Sequence, residues 1–154
     1  LLLALIFVST FVRETACLNI AFFAALFVNM NKLDFTCVKE IAFLVIAFLL
    51  PYFGLKFFIS QHVSFAEGVY LGKNFTSPFN LAGLCFGILG LYFVFQLCSL
   101  DQQIILKKYL LFSSPYIVMI AFVGLFWETR LFIPLLLTGF VVASHELKKY
   151  PAAS

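Results

Sequence analysis

The stretch Phe79–Cys98 reads FNLAGLCFGILGLYFVFQLC and holds 20 residues without a charge. A transmembrane α-helix needs about 20 consecutive, mostly apolar residues, so this block alone predicts a membrane-spanning helix. Two further blocks of 19 and 18 residues, Ile41–Ile59 and Leu110–Trp127, predict the same. Three shorter apolar blocks complete the pattern: Leu1–Val12, Ala16–Met30 and Leu131–Ala143.

All of these runs are continuous, whereas the strands of a membrane β-barrel alternate between apolar and polar residues. We therefore predict an all-α fold, a polytopic transmembrane helix bundle of about five to six membrane helices. Six blocks with short connections leave no room in 154 residues for a separate soluble domain, so residues 1–154 are predicted to form a single transmembrane domain.

The composition supports a membrane environment. The chain is 64% hydrophobic and 11% charged, and 22 of its residues are Phe, whereas soluble domains are about 45–50% apolar and about 25% charged. This balance excludes a secreted module and a disordered tail. A net charge of +3 from scattered cations gives no nucleic-acid footprint, so no nucleic-acid partner is expected.

The first block, Leu1–Val12, has no initiator Met and no charge before Arg13 and Glu14. A secretory signal would begin with charged residues and end in a small-residue cleavage site, and this segment has neither. We interpret it as a span whose beginning is missing. The chain is therefore expected to be an N-terminally truncated fragment of a longer membrane protein.

The distribution of basic residues predicts the orientation. If every block crosses, one side collects Lys32, Lys39, Lys107, Lys108, Lys148 and Lys149. The other side collects Arg13, Lys56, Lys73 and Arg130. Because short loops richer in Lys and Arg stay cytoplasmic, the lysine-rich loops and the C-terminal tail are predicted to be cytoplasmic.

Glu128 and Arg130 are the first candidate site residues, because long apolar blocks flank them on both sides. Ionisable residues at membrane depth are costly and persist where they pair, face a cavity or bind something. An Arg in this position could bind a phosphate or carboxylate through its planar guanidinium. The alternative is a tight interfacial turn whose charges lie among lipid headgroups.

Arg13 and Glu14 follow the first block in the same way and fall on the same predicted side as Glu128 and Arg130. These four residues are therefore the candidate substrate-binding residues, in one water-accessible cavity. A loop at headgroup level is the alternative for Arg13 and Glu14.

Other polar groups predict no metal site and no cofactor. The four cysteines, Cys17, Cys37, Cys85 and Cys98, lack the paired spacing of zinc or redox motifs and are expected to be ordinary buried thiols. His62 and Glu67 are expected to lie in a solvated loop, since no third ligand is near them in sequence. The G-x-x-x-G spacing of Gly83 and Gly87 predicts close helix packing. An Asn74-Phe75-Thr76 sequon would matter only in a eukaryotic secretory setting.

The segment Gly124–Leu135, GLFWETRLFIPL, resembles the C-terminal part of bacterial polytopic membrane proteins related to GT-C-type glycosyltransferases. Arg13-Glu14-Thr15 after one span and Asn80-Leu81 at the start of another fit the same pattern. The resemblance implies an enzyme that uses a lipid-linked sugar donor at the extracytoplasmic face, where an Arg could hold the donor phosphate. Such enzymes carry a catalytic carboxylate in an early extracytoplasmic loop that this chain does not contain, so no catalytic residue is assigned.

These observations predict an integral protein of the bacterial cytoplasmic (inner) membrane, part of a glycosyltransferase-like enzyme. Its expected partners are membrane lipids, a lipid-linked sugar phosphate and other membrane subunits. Two alternatives remain open: a transporter or ion-translocating subunit, in which Glu128 and Arg130 would line a path through the bilayer, and a non-catalytic subunit of a larger membrane complex.

Overall fold

A computed structural model describes residues 1–12, 14–28, 34–58 and 69–144. These residues form eight α-helices, with short 3-10 segments at Glu14–Ala16 and Thr129–Leu131 and no strand among them. In chain order the helices are α1 Leu2–Val12, α2 Cys17–Phe27, α3 Phe35–Phe58, α4 Leu71–Thr76, α5 Pro78–Leu97, α6 Leu100–Phe112, α7 Ser114–Val123 and α8 Ile133–Ser144. The predicted all-α class is confirmed.

Two of the described helices are long and apolar enough to cross a membrane, Phe35–Leu55 within α3 and Pro78–Leu97 as α5. A third crossing is possible if α6 and α7, which meet at a 50° bend, form one broken span. The apolar helices α2 and α8 have 11 and 12 residues. At 1.5 Å per residue each is under about 20 Å long, short of the roughly 30 Å hydrocarbon core. Five to six crossings therefore stay a prediction.

The block Leu110–Trp127, predicted as one membrane-spanning helix, is interrupted in the structure, and the polar residues before it are helical. Helix α6 already begins at Leu100, because Ser99 and Gln102 form a capping box in which the Ser99 N–H donates to Gln102 Oε1 at 2.7 Å. The helix is interrupted at Ser113, and α7 starts with Pro115 in its first turn. Proline has no N–H to donate and favours the start of a helix, so the apolar run divides here.

Glycines bring α5 and α8 close together. A Cβ atom on Gly87 would lie 2.7 Å from the Phe132 ring, and one on Gly90 would lie 2.8 Å from Leu136 Cδ2. From the other side, a Cβ on Gly139 would lie 2.8 Å from Val94. The helix contact predicted for the Gly83–Gly87 spacing is made instead by Gly90 and Gly139, whereas Gly83 packs on the Phe126 carbonyl and Gly87 on Phe132, just before α8; small residues of this kind let apolar helices pack closely inside a membrane.

At one end of the bundle, which we call the α6 end, polar side chains of α6 donate hydrogen bonds to the C-terminal carbonyls of other helices. Lys108 Nζ donates to the carbonyl of Val28 after α2, and Gln102 Nε2 donates to Ala143 O near the end of α8. Gln103 Nε2 donates to Phe95 O and Cys98 O at the end of α5. Because the last carbonyls of a helix have no partner within it, these bonds satisfy three helix C-termini at once.

Candidate functional site

At the opposite end, which we call the loop end, residues 124–131 connect α7 to α8, and the Asn74 side chain holds this segment in place. Its Nδ2 donates to Ala121 O at 3.0 Å and Gly124 O at 2.8 Å. Its Oδ1 accepts from the Phe126 N–H at 3.1 Å. Asn74 is fully buried, and the nitrogen that N-glycosylation would modify already makes two hydrogen bonds. The Asn74 sequon is therefore no acceptor in this fold.

Asn80 makes the second connection to the same segment. Its Oδ1 accepts from the Trp127 N–H at 3.2 Å, and its Nδ2 donates to Lys73 O at 3.0 Å. The Phe126 carbonyl packs directly on Gly83, where an added Cβ would overlap the oxygen. These contacts therefore hold three elements together: helix α4, the start of α5 and the 124–131 segment.

An open groove of about 710 Å³ lies between these elements. Its lining comprises Lys73, Thr76, Ser77, Phe79, Asn80, Ala82, Gly83, Phe86, Leu125, Trp127 and Thr129. The α5 members follow helical spacing, so they form a row that runs from Phe79 about 10 Å along the helix to Phe86. The cation and most of the hydroxyls come from α4 and the residue before α5. The groove thus combines one cation with an apolar wall, a combination suited to an amphipathic, anionic ligand.

The groove side chains are accessible. Trp127 is 57% exposed and Phe86 is 48% exposed. Lys73 is exposed as well, and its Nζ lies 5.5 Å from the centroid of the Tyr70 ring. A cation over an aromatic face is held in place by modest electrostatic attraction while its N–H donors stay available.

The predicted residues Glu128 and Arg130 pair with each other beside the groove. Arg130 Nη2 and Nε donate to Glu128 Oε2 at 2.7 and 3.0 Å. The Arg130 side chain is 65% exposed and that of Glu128 is 25% exposed. Thr129, between them, lines the groove. This geometry fits the tight turn considered from the sequence, and a role of the pair in substrate binding stays a prediction.

The other predicted pair is described only in part. Arg13 lies outside the described residues, as do His62 and Glu67. Glu14 begins the 3-10 segment Glu14–Ala16. Thr15 of that segment shares a smaller cavity of about 320 Å³ with Pro134 and Leu137 of α8. The backbone at Glu14 and the segment carrying Arg130 therefore lie at the same end of the bundle, and a site shared by the four predicted residues stays a prediction.

Asn74 and Asn80 are the residues that sequence reasoning missed. Their partners are backbone groups about 50 residues away in sequence, and such pairings leave no local pattern. For Asn80 a signal is available, an amide in the first turn of the apolar helix α5, where a buried polar group must find a partner; Asn74, in the short helix α4, gives none.

Within residues 1–12, 14–28, 34–58 and 69–144, no cluster of three or more His, Cys, Asp or Glu could hold a metal ion. Of the four cysteines only Cys98 is buried, whereas Cys85 is exposed and Cys17 and Cys37 are half-buried, so the prediction of buried thiols holds for Cys98 alone. The chain matches no family model, no curated protein and no solved structure.

Proposed function

We propose that this chain is the membrane domain of a glycosyltransferase-like enzyme, with five to six crossings, and that its groove binds a lipid-linked sugar phosphate. The observation that carries the proposal is the groove itself, in which Lys73 lies at one end of an exposed apolar row on α5. A phosphate would be attracted to the ammonium group, while the lipid chain would lie along Phe79 and Phe86.

Two features of the groove support an amphipathic ligand over a small soluble one. First, the groove is open, and its apolar row continues along α5, which is long and apolar enough to cross a membrane. A lipid chain could therefore stay in the bilayer while its headgroup contacts α4. Second, Thr76, Ser77 and Thr129 supply hydroxyls that can donate to phosphate or sugar oxygens.

We place the loop end at the extracytoplasmic face of a bacterial inner membrane and the α6 end in the cytoplasm. Support comes from the lysine distribution, with Lys107 and Lys108 on α6 and Arg130 at the loop end. In this arrangement Arg130 stands next to the groove residue Thr129. A bound phosphate would compete with Glu128 for the guanidinium, which is how Arg130 would join the site.

Transport is the second candidate, because the interior of the bundle holds polar groups. The Tyr109 and Ser113 hydroxyls are buried where α6 meets α7, and buried polar groups in membrane bundles often mark pathways. A transporter would need a polar route that continues from these hydroxyls to both faces, whereas the lipid-binding proposal needs only the groove.

Trp127 provides the test, because it is the sole tryptophan of the chain and lines the groove. The protein would be reconstituted in vesicles that contain lipids with brominated acyl chains, which quench tryptophan fluorescence on contact. We expect brominated phosphatidylglycerol to quench Trp127 more strongly than brominated phosphatidylcholine. An unbrominated polyprenyl phosphate should relieve this quenching.

Lys73→Gln should abolish the preference for the anionic lipid, because it removes the cation of the groove. Lys107→Gln is the matched control, since Lys107 is an exposed lysine on α6, and it should keep the preference. Equal quenching by both lipids in the unmodified protein, or an unchanged preference in Lys73→Gln, would contradict the proposal. If unbrominated phosphatidylglycerol relieves the quenching but polyprenyl phosphate does not, the groove binds anionic lipid and the glycosyltransferase assignment is contradicted.

A further inference from the structure

A second cavity, of about 320 Å³, lies where the start of α8 meets α1, α2 and the 3-10 segment between them. Its lining comprises Ser9, Thr15, Ala16, Leu18, Asn19, Pro134, Leu137 and Thr138. Ligand pockets usually measure about 300–1,000 Å³. The cavity is at the lower limit of that range, so it suits a small ligand or the headgroup of a larger one.

The polar part of this lining can both donate and accept hydrogen bonds. Thr15 supplies a hydroxyl, and Asn19, four residues later, supplies an amide. Ser9 Oγ donates its hydrogen to Ile6 O at 3.1 Å, and its oxygen can still accept one from a ligand. No described residue of the lining is charged, so an ionised ligand would lose water there without gaining an opposite charge. The lining therefore favours an uncharged ligand with several hydroxyls, such as a sugar.

An apolar surface of α8 continues from the cavity. Leu137 lines the cavity and is exposed, and Phe140 and Val141, three and four residues later, are exposed as well. Residues at these spacings are neighbours on a helix surface. The row leads along α8 from the loop end toward the α6 end, which is the direction that an acyl chain takes from a headgroup into the bilayer. A sugar in the cavity can therefore belong to a lipid whose chains follow α8.

We propose that this cavity binds the sugar headgroup of an uncharged glycolipid, whose acyl chains lie along Leu137, Phe140 and Val141. Thr15 and Asn19 hydrogen-bond to the sugar hydroxyls. The site is separate from the groove at the other side of the 124–131 segment, since the two share no lining residue. It also differs in chemistry, because the groove presents a lysine. The proposal therefore does not rest on the function proposed for the groove.

A tryptophan reporter at the edge of the cavity tests the proposal. Leu137→Trp would be combined with Trp127→Phe, both at exposed positions, so that the reporter is the sole tryptophan. The protein would be reconstituted with brominated monoglucosyl diacylglycerol or with brominated phosphatidylcholine that carries the same acyl chains. A hydrogen bond between uncharged groups contributes about threefold in affinity. With two such bonds, we expect the glucosyl lipid to quench the reporter at about a tenfold lower mole fraction.

Thr15→Val and Asn19→Leu each remove one polar group with little change in size, and each should reduce this preference about threefold. Thr36→Val is the matched control, since Thr36 is exposed at the start of α3, and it should keep the full preference. Equal quenching by the two lipids, or an unchanged preference in both cavity variants, would overturn the proposal. A response of the reporter to soluble methyl glucoside without any preference for the glucosyl lipid would overturn it as well, because the ligand would then be a free sugar.

Discussion

The two halves of the molecule are held together by different means. From α4 to α8, the side chains of Asn74, Asn80 and Tyr116 bond to backbone groups of the 121–131 region, at distances of 2.8 to 3.2 Å. The helices α1 to α3 pack on one another through an apolar cluster of Ile6, Ile20 and Leu44, while α2 also packs into the main core through Leu18, Ala21 and Ala25. The Thr10 hydroxyl of α1 makes a local hydrogen bond, to Ile6 O four residues earlier.

The difference shows which part of the fold is positioned by directional hydrogen bonds and which part is positioned mainly by apolar packing. Hydrogen bonds to backbone groups fix both the position and the orientation of a segment, whereas van der Waals packing between helices tolerates small shifts. The groove lies in the directionally fixed half, so its shape depends on a few amides. We expect substitutions in that half to have larger effects than matched ones in α1–α3.

Asn74→Ala should have the largest effect. It leaves the Phe126 N–H and the Ala121 and Gly124 carbonyls without their partner, and we expect a loss of about 3–5 kcal/mol in the free energy of unfolding. Denaturant titration in mixed micelles would measure it. Asn19→Ala on α2 is the matched control, since the Asn19 side chain is exposed. Similar losses of unfolding free energy in Asn74→Ala and Asn19→Ala would contradict the proposed difference between the two halves.

Gly83→Ala should have the second-largest effect on stability. Its Cβ would collide with the Phe126 carbonyl oxygen, a backbone atom that cannot rotate away. Overpacking of this kind costs about 1–3 kcal/mol, and the displaced segment should alter the fluorescence maximum of Trp127. Unfolding titration and an emission spectrum of the same sample would record both effects. An unshifted spectrum with full stability would show that Phe126 does not pack on Gly83.

Gly54→Ala in α3 is the same substitution in the other half, and it should raise the free energy of unfolding rather than lower it. Nothing lies within 4 Å of the added Cβ, and alanine is favoured over glycine within a helix by about 0.5–1 kcal/mol. The variant should therefore unfold at slightly higher denaturant concentration than the unmodified chain. A loss of stability would mean that this part of α3 packs against something.

Arg130→Gln should have the smallest effect on stability, because the ion pair with Glu128 is largely exposed. Exposed pairs contribute about 0–1 kcal/mol. Unfolding of this variant should match that of the unmodified chain, while its quenching by anionic lipid should weaken if the guanidinium reaches the bound phosphate. A clear loss of stability would instead make the pair a structural element of the turn.

The candidate span α5 was predictable because hydropathy identifies a long apolar run directly. The block Phe79–Cys98 corresponds to α5, Pro78–Leu97, within one residue at each end. The start of α6 was not predictable in this way, since its polar residues Asp101 to Lys108 resemble a connection by hydropathy alone. They form a helix because a capping box starts it and because Gln102, Gln103 and Lys108 bond to the ends of other helices.

The site was predictable only in its location. The charge pattern drew attention to Glu128 and Arg130, and the groove lies beside them, lined by Thr129. Lys73 was noted in the sequence only as one of the scattered cations. Its place in the groove depends on the long-range bonds of Asn74 and Asn80, which bring α4 to the 124–131 segment.

Sidedness labelling tests the central claim, that α5 crosses the membrane and separates the groove from the α6 end. The four native cysteines would be replaced, and a single cysteine introduced as Arg130→Cys or Asp101→Cys, both at exposed positions. An impermeant thiol reagent would then be applied to the full-length protein from each side of the membrane. We predict labelling of position 130 from outside and of position 101 from the cytoplasm. Labelling of both positions from the same side would contradict the account.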